Sequence, residues 1–168
     1  MSRGFVKEDD QEEAPIIPPR AALPAGATNY VTPEGLTQLK TERERLENEI
    51  SNLSETNERE RRRALALLNG KLNLLIERIQ SARLLEKVDD RDEVRFGATV
   101  TYKIGTAPNP IKITIVGVDE ADVKQQKIAF TAPIAKALTG KKVGQTAELN
   151  LGGETRKIEV VAIRYAEN

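Results

Sequence analysis

Three glutamates, Glu55, Glu58 and Glu60, have the types and the close spacing that could support chemistry. The 168-residue chain contains no His and no Cys, which excludes zinc fingers, thiol or imidazole nucleophiles, Ser-His-Asp triads and disulfides. The remaining chemistry is that of carboxylates, hydroxyls and amines, or of a metal supplied by a partner. The glutamates are therefore candidates for presenting carboxylates to something beyond the protein's own surface.

Basic residues share this region with the glutamates. The chain has 26 Lys plus Arg and 26 Asp plus Glu, so its net charge gives no indication of nucleic acid or an anionic membrane as a partner. Two interpretations of the local arginines stay open: they keep a turn soluble, or they contact RNA or phosphate. Direct nucleic-acid binding is a separate alternative, and it would be strongly salt-dependent. No DNA- or RNA-binding motif and no stacking aromatic residue accompanies the arginines to support it. The basic candidates are Arg59, Arg61, Arg62 and Arg63, with a second patch at Lys141-Lys142.

These charges lie between two series of apolar residues that have coiled-coil spacing. Thr32-Pro33-Glu34 has the features of a helix start: a hydroxyl cap, a proline at the first helical position and an acid in the first turn. From there, seam positions alternate at intervals of three and four residues, and the alternation repeats after a break. The two series are Leu36, Leu39, Arg43, Leu46, Ile50 and Leu53, then Leu65, Leu68, Leu72, Leu75, Ile79 and Ala82.

Folding the second series back on the first predicts an antiparallel helical hairpin over residues 29–88. Pairing Leu53 with Leu65 centres the turn near Arg59, within residues 54–63. Asn57, followed by Glu60 three residues later, suits a capping arrangement at the start of the second helix. At ~1.5 Å per residue, the arm from Thr32 to the tip is predicted to be about 35–40 Å long.

The N-terminal segment differs in composition from the hairpin. Residues 1–28 combine acidic residues with four prolines and show little periodicity, which predicts a disordered acidic, proline-rich tail. Within it, Ile16 and Ile17 form either a short docking motif or part of a plain flexible leader. No stretch approaches the ~18–20 apolar residues of a membrane span, and the acidic start lacks the apolar run of a secretory signal. We therefore expect a cytoplasmic protein that has no membrane partner.

After Val88 the apolar residues alternate as they do in strands, which predicts a small antiparallel sheet domain over residues 94–168. Pro133 opens a short predicted helix over residues 133–138, and Gly140 closes it. The predicted fold class is α+β: a coiled-coil hairpin followed by an antiparallel sheet domain with one short helix. The predicted strands cover residues 98–104, 111–118, 127–130, 146–151 and 156–164.

Several stretches, taken in chain order, carry a resemblance to a known family. They are Tyr30-Val31-Thr32-Pro33-Glu34-Gly35-Leu36, then residues 96–100, 115–122 and 132–144, and finally Leu151-Gly152-Gly153-Glu154 with Ile163-Arg164-Tyr165. Together they resemble the Gre transcript-cleavage and transcription elongation factors (GreA/GreB). The stretch over residues 132–144 is the most recognisable of them. The resemblance covers about residues 29–166 and leaves the N-terminal tail outside.

The resemblance implies a bacterial factor that binds RNA polymerase and regulates transcription elongation without an active site of its own. The C-terminal domain would have an FKBP-like fold and dock at the rim of the polymerase's secondary channel, while the coiled coil enters that channel. We expect a monomer with no cofactor of its own, in contact with nascent RNA inside the complex and weakly, if at all, with DNA. The residues that match the family's docking segment are Thr131, Ala132, Pro133 and Ile134.

In the family, acidic tip residues help to hold a Mg²⁺ ion and a water in the polymerase's own centre, which promotes hydrolysis of backtracked RNA. By resemblance, Glu55 and Glu58 would be Mg²⁺ ligands in the complex, with Glu60 as a third acidic candidate; no metal is expected on the protein alone. The tip departs from the family's Asp-Leu-Ser-Glu-Asn pattern, because neutral Asn52 stands where the Asp would be. The arm is also shorter than the family's arm by about one heptad per helix, or roughly 10 Å. In addition, the nearby arginines would repel a cation.

Two roles at the channel therefore stay open. One is stimulation of transcript cleavage, and the other is occupation of the channel in a way that modulates or inhibits transcription without cleavage. An FKBP-like domain also raises peptidyl-prolyl isomerase activity as an alternative, which requires an apolar, aromatic-lined pocket. The aromatic residues after Val88 are Phe96, Tyr102, Phe130 and Tyr165, and we expect them to be used mostly in the core.

Overall fold

The hairpin forms as the apolar spacing predicts. The computed structural model describes residues 13–86 and 89–166, in which helices α1 (Pro33–Ser51) and α2 (Glu58–Ser81) pack against each other. Thr32 caps α1 by accepting a hydrogen bond from the backbone N–H of Gly35 at 2.9 Å, and Pro33 occupies the first turn. The predicted helix start is therefore confirmed.

Leucines fill the seam between the two helices. Leu39, Leu46 and Leu75 are buried, and partly buried seam residues such as Leu72 and Ile79 pack around them. Arg43, the polar seam position, is exposed and pairs with Glu47 one turn further along α1 at 2.8 Å. The hairpin is thus held by a narrow apolar stripe with charged flanks, as a coiled coil requires.

Two short strands that the sequence did not predict close the base of the hairpin. Strand β1 (Asn29–Val31) precedes α1, strand β2 (Ala82–Leu84) follows α2, and the two pair in parallel. Helix α2 consequently ends at Ser81, and Ala82 lies in a strand instead of continuing the helical seam. Strands of three residues are too short for alternation to reveal them.

The C-terminal domain is a sheet covered by one short helix, as predicted. Its strands are β3 (Thr99–Ile104), β4 (Ile111–Val116), β5 (Lys127–Ala129), β6 (Thr146–Leu151) and β7 (Glu154–Arg164). Over the described residues they lie side by side in the order β5-β4-β3-β7-β6. Helix α3 (Pro133–Leu138) places Ala135 and Leu138 in the core against the sheet.

The prediction that this sheet is wholly antiparallel is wrong at one edge. Strand β5 pairs with β4 in parallel, with Thr114 opposite Lys127 and Val116 opposite Ala129. The intervening chain, which includes a 3₁₀ turn at Val123–Gln125, returns to the starting end of β4 before β5 begins. Alternation of apolar residues identifies a strand but carries no information about its direction, so the mixed sheet was outside the reach of that pattern.

The predicted disorder of the tail differs from what is observed for residues 13–28. Residues 13–21 lie beside helix α2, and the Arg20 guanidinium makes charge-assisted hydrogen bonds to Glu42 and Asp119. The segment has few apolar residues to hold it in place, but the charge-assisted hydrogen bonds of Arg20 do so instead. An average composition does not reveal such a contact. The first twelve residues, which carry the other acidic part of the tail prediction, lie outside the described residues.

No helix in the described part of the chain has the length and apolar character needed to cross a membrane.

Candidate functional site

The hairpin turn lies between Asn52 and Asn57, earlier than the predicted centre near Arg59. Asn57 ends the turn by capping α2: its side-chain Oδ1 accepts the backbone N–H of Arg59 at 3.0 Å and that of Glu60 at 3.2 Å. The predicted cap is therefore confirmed, and because it starts α2 at Glu58, the arginines lie on the helix and not in the turn. At ~1.5 Å per residue, helix α1 is about 28 Å long and helix α2 about 36 Å long, so α2 has the length predicted for the arm and α1 is shorter.

Glu55 closes the turn from the other side. One oxygen of its carboxylate accepts the backbone N–H of Asn57 at 3.1 Å. In a capping box this N–H would be accepted by the residue three positions into the helix, here Glu60, so Glu55 takes over the role expected of Glu60. Sequence reasoning missed this role, because the side chains known for such local backbone contacts are Ser, Thr, Asn and Asp and not Glu.

The remaining charged candidates occupy the first two turns of α2. Glu58 and Glu60 are exposed acids near a helix N-terminus, where the helix dipole favours negative charge. The arginines carry the opposite sign at the same end, so helix electrostatics do not explain their presence. A guanidinium nitrogen of Arg62 lies 3.9 Å from a carboxylate oxygen of Glu58, one helical turn earlier. The four basic candidates, Arg59, Arg61, Arg62 and Arg63, are all exposed.

The tip does not form a metal site by itself. Within residues 13–86 and 89–166, no group of three or more His, Cys, Asp or Glu side chains is arranged to hold a metal ion. Carboxylates are suitable donors for Mg²⁺, but an oxygen of Glu55 is engaged by the backbone of the turn. The residues present therefore do not fit a resident Mg²⁺ site.

The predicted docking segment lies at the start of helix α3, on the sheet domain. Thr131 and Ala132 lie between β5 and α3, and the carbonyl of Ala132 accepts the backbone N–H of Lys136 at 3.0 Å. Pro133 is exposed, whereas Ile134 is partly buried and packs against the core. Pro133 is thus the member of this segment with the most surface available to a partner.

An aromatic cluster joins the hairpin to the sheet domain. The ring of Tyr30, in β1, lies 5.9 Å from the ring of Phe96 and 5.7 Å from that of Phe130, measured between centroids. Phe96 and Phe130 are in turn 5.6 Å apart in an edge-to-face arrangement. Tyr102 is buried in the core, and the hydroxyl of Tyr165 is hydrogen-bonded to the backbone. Tyr30, Tyr102 and Phe130 are thus used in packing, whereas Phe96 and Tyr165 also line a cavity between the hairpin and the sheet domain.

A buried carboxylate lies beside this cluster. Glu120 accepts a hydrogen bond from the hydroxyl of Thr32, the cap of α1, and its other oxygen lies 3.5 Å from the ammonium of Lys127. Lys127 also reaches Glu34 in the first turn of α1 at 3.3 Å. A Cβ atom on Gly35 would lie only 2.6 Å from the Glu120 carboxylate, so the close approach of α1 to the domain requires glycine there.

A second ionic contact at the junction includes the N-terminal segment. Arg20 donates two hydrogen bonds to the Glu42 carboxylate, each 2.9 Å long, and one to Asp119 at 2.9 Å. Arg78 of α2 donates to the other oxygen of Asp119 at 3.2 Å. The hydrogen bonds that Arg20 donates to Glu42 and Asp119 raise the pKa of Arg20 above its ordinary value, against the effect of burial. Sequence reasoning did not assign any role to Arg20 or Asp119.

The C-terminal half of the chain matches a family model. Residues 89–165 match the model described as "Transcription elongation factor, GreA/GreB, C-term". The matched range contains the whole sheet domain, including the segment 131–134. The resemblance noted from the sequence is therefore confirmed for this domain.

Curated relatives support the same match. The chain is 37% identical over 100 residues to transcription elongation factor GreA of Verminephrobacter eiseniae and 35% identical over 100 residues to that of Neisseria meningitidis. In both cases the alignment covers 58% of this chain and 63% of the relative. The chain thus spans somewhat less than two thirds of the length of these relatives.

Solved structures were also similar. Gfh1 of Thermus aquaticus is 25% identical, with 82% of this chain and 99% of that chain covered and a TM-score of 0.40. A GreA/GreB elongation factor from Nitrosomonas europaea is 20% identical, with 81% and 98% covered and a TM-score of 0.41.

Proposed function

We propose that the protein, whose residues 89–165 match the GreA/GreB family model, binds bacterial RNA polymerase and acts through its secondary channel. In this proposal the sheet domain docks on the polymerase and the hairpin projects into the channel. The protein would act on the polymerase's own activity and would not be an enzyme itself.

The observation that carries the proposal is the combination of two parts in one chain. A domain of this family, residues 89–165, is joined through buried contacts to an antiparallel hairpin with a densely charged, exposed end. A hairpin that only stabilised the domain would be expected to pack along it, whereas this one uses its apolar residues in its own seam. Its length and exposed charges suit insertion into an aqueous, charged channel.

Geometry at the tip favours channel occupation without stimulation of RNA cleavage. The Glu55 carboxylate is hydrogen-bonded to the turn, and Asn52 provides an amide where the family pattern has a carboxylate. The adjacent arginines add repulsion toward a second cation. We therefore propose that the tip modulates elongation, or the access of other factors to the channel, and does not deliver a metal ligand.

Docking can be tested by competition. Excess protein should displace a labelled channel-binding factor from RNA polymerase, and Pro133→Glu should weaken this competition about tenfold, a loss of about 1.4 kcal/mol. Pro108→Glu, at another exposed proline of the same domain, is the matched control and should compete like the parent protein. Failure of the parent protein to compete at any concentration would overturn the proposed function.

The mode of action can be tested on stalled, backtracked complexes. We expect the parent protein to change elongation or pausing without shortening the RNA. RNA shortening that is lost in both Glu55→Gln and Glu58→Gln would show that the tip does supply carboxylates, and it would replace occupation by cleavage stimulation.

A further inference from the structure

The segment that precedes the hairpin, called here the N-terminal strap and defined as residues 13–21, follows helix α2 from the tip to the base. At the tip, Glu13 and Pro15 line a groove together with Arg59 and Arg63. At the base, the carbonyl of Ala21 accepts a hydrogen bond from the guanidinium of Arg78. The strap therefore runs in the same direction as α2 and spans most of its length.

The spacing of these contacts matches an extended chain laid along a helix. Ile17 contacts Gly70 and Ala21 contacts Arg78, so four strap residues span the same distance as eight helical residues. At ~3.1 Å per residue for a polyproline-type chain and ~1.5 Å for a helix, both distances are about 12 Å. Pro18 and Pro19 favour this extended form and, having no N–H, need no backbone partner there.

Gly70 provides the position at which the strap packs on α2. A Cβ atom at this position would lie 2.4 Å from Cδ1 and 2.8 Å from Cγ1 of Ile17. Both atoms therefore occupy space that any other residue would fill. The partly buried Ile17 and the glycine in the middle of a helix are explained by the same contact.

Arg20 connects the strap to both parts of the protein. Its guanidinium makes a two-pronged contact with Glu42 on α1 and a third hydrogen bond to Asp119 in the sheet domain. The side chains of Arg20 and Asp119 are 18% and 6% exposed, so the contact is largely removed from water. A single side chain thus spans from the hairpin to the domain.

We propose that the N-terminal strap fixes the direction in which the hairpin projects from the sheet domain, and that Arg20 is the positioning residue through which it does so. The proposal rests on the proposed function only for its consequence in transcription. Because the helices of the arm are about 28 and 36 Å long, a rotation of roughly 10° at its base moves the tip by about 5 Å or more. Such a displacement is enough to misplace charged side chains that must meet a partner at contact distance.

The distance between the tip and the domain can be measured directly in the free, full-length protein. The chain has no Cys, so Thr56→Cys and Asn109→Cys, both at exposed positions, give one unique pair of spin-label sites. Double electron–electron resonance should give a narrow distance distribution for the protein with Arg20. Arg20→Ala should broaden the distribution at least twofold or shift its mean by about 5 Å or more. Arg20→Lys should give an intermediate result, since a lysine keeps the charge but not the two-pronged geometry.

Arg43→Ala is the matched control. Arg43 pairs at 2.8 Å with Glu47 on its own helix, so its loss removes an ion pair without touching the junction. It should leave the distance distribution unchanged. A distribution that is also unchanged in Arg20→Ala would overturn the proposal, and equal broadening in Arg43→Ala would show a general effect of charge loss and would overturn it as well.

A transcription assay separates this proposal from the proposed function. If Arg20 sets the direction of the hairpin, the Arg20→Ala variant should compete at the polymerase with a half-maximal concentration within twofold of that of the parent protein. Its maximal effect on elongation should be several-fold smaller than that of the parent protein. A protein that does not compete at the polymerase at all would contradict the proposed function while leaving the spin-label result valid. A full maximal effect in a variant whose distance distribution is broadened would overturn the role of Arg20 in positioning the tip.

Discussion

At the hairpin turn, Glu55 and Asn57 form a pair of side-chain-to-backbone contacts that decide where α2 begins. Asn57 accepts the N–H groups of Arg59 and Glu60, and Glu55 accepts the N–H of Asn57 itself. Since a helix start leaves several N–H groups without helical partners, these side chains satisfy groups that would otherwise depend on water. A consequence for function is that a metal ion would share the Glu55 carboxylate with the turn, because one of its oxygens already accepts the N–H of Asn57.

Asn57→Ala should lower the stability of the hairpin by about 1 kcal/mol, because the cap of α2 is lost. The change should be visible as reduced helical circular dichroism on heating and as faster hydrogen exchange at the amides of Arg59 and Glu60. Asn69→Ala is the control: this asparagine is exposed in the interior of the same helix, where alanine has the higher helix propensity, so it should be neutral or slightly stabilising. Equal losses in both variants would contradict a capping role.

Tyr165 gives a prediction that depends on pH. Its hydroxyl donates to the carbonyl of Glu93 and accepts the N–H of Arg95 at 2.9 Å, and burial raises the pKa of the phenol above its usual value of about 10. The folded state therefore favours the protonated phenol, so this contribution to stability is complete below pH ~10 and is lost as pH rises through the raised pKa.

Tyr165→Phe should accordingly reduce the free energy of unfolding at pH 7 by about 1 kcal/mol and make its decline shallower as the pH rises above ~10. Burial also raises the pKa of Tyr102, so this residue should preserve part of the alkaline decline in the free energy of unfolding. Urea unfolding at a series of pH values would measure both effects. A variant whose alkaline decline is as steep as that of the parent would exclude Tyr165 as a contributor.

At the scale of elements, helix α2 contains a position where local and tertiary preferences oppose each other. Glycine in a helix interior costs ~1 kcal/mol relative to alanine, yet at position 70 an added Cβ would overlap Ile17 of the strap. Helix propensity alone therefore favours Gly70→Ala, whereas packing of the strap opposes it. The balance between these terms should depend on whether Ile17 is present.

We expect Gly70→Ala to release the strap in the parent protein and to stabilise the hairpin by up to ~1 kcal/mol when combined with Ile17→Ala, which removes the overlapping atoms. Release of the strap can be followed as faster tryptic cleavage after Arg20, and hairpin stability by thermal unfolding. The two substitutions should therefore be strongly non-additive. Additive effects would mean that Ile17 does not pack on Gly70 in solution.

Elements with strong local signals were predictable from the sequence. Thr32-Pro33 marked the start of α1, alternation marked the strands, and Pro133 marked α3, because each signal lies in adjacent residues. The strap contact was not predictable, since Arg20 and Asp119 are 99 residues apart and the acidic, proline-rich composition around Arg20 indicates disorder. At the tip, the seam spacing centred the turn near Arg59, later than the observed turn between Asn52 and Asn57, and the engagement of Glu55 by the turn depends on loop geometry that spacing alone does not supply.

At the scale of the whole molecule, the hairpin and the sheet domain are joined by a close backbone contact as well as by charges. Gly117, just after β4, lies against the carbonyl of Tyr30 in β1, and a Cβ there would be 2.5 Å from that oxygen. Because the neighbouring atom belongs to the backbone, it cannot move aside as a side chain could. The junction therefore requires glycine at this position.

Gly117→Ala should weaken the junction by about 1–3 kcal/mol, a cost typical of overpacking, without altering the cores of the two parts. Calorimetry should then resolve separate transitions for the hairpin and the sheet domain, and the near-ultraviolet circular dichroism of the Tyr30 cluster should decrease. A single transition at the parent temperature would contradict this role for Gly117.

The course of the strap has a practical consequence for experiments. Because Glu13 lies beside the tip arginines, a bulky group attached ahead of it would leave the fold next to the end of the arm and not next to the sheet domain. An affinity tag or fluorescent protein at that position would obstruct entry of the arm into a narrow channel. The same group attached after β7 would leave from the sheet domain, so comparing the two fusions in the competition assay reports which end of the molecule must pass through a confined space.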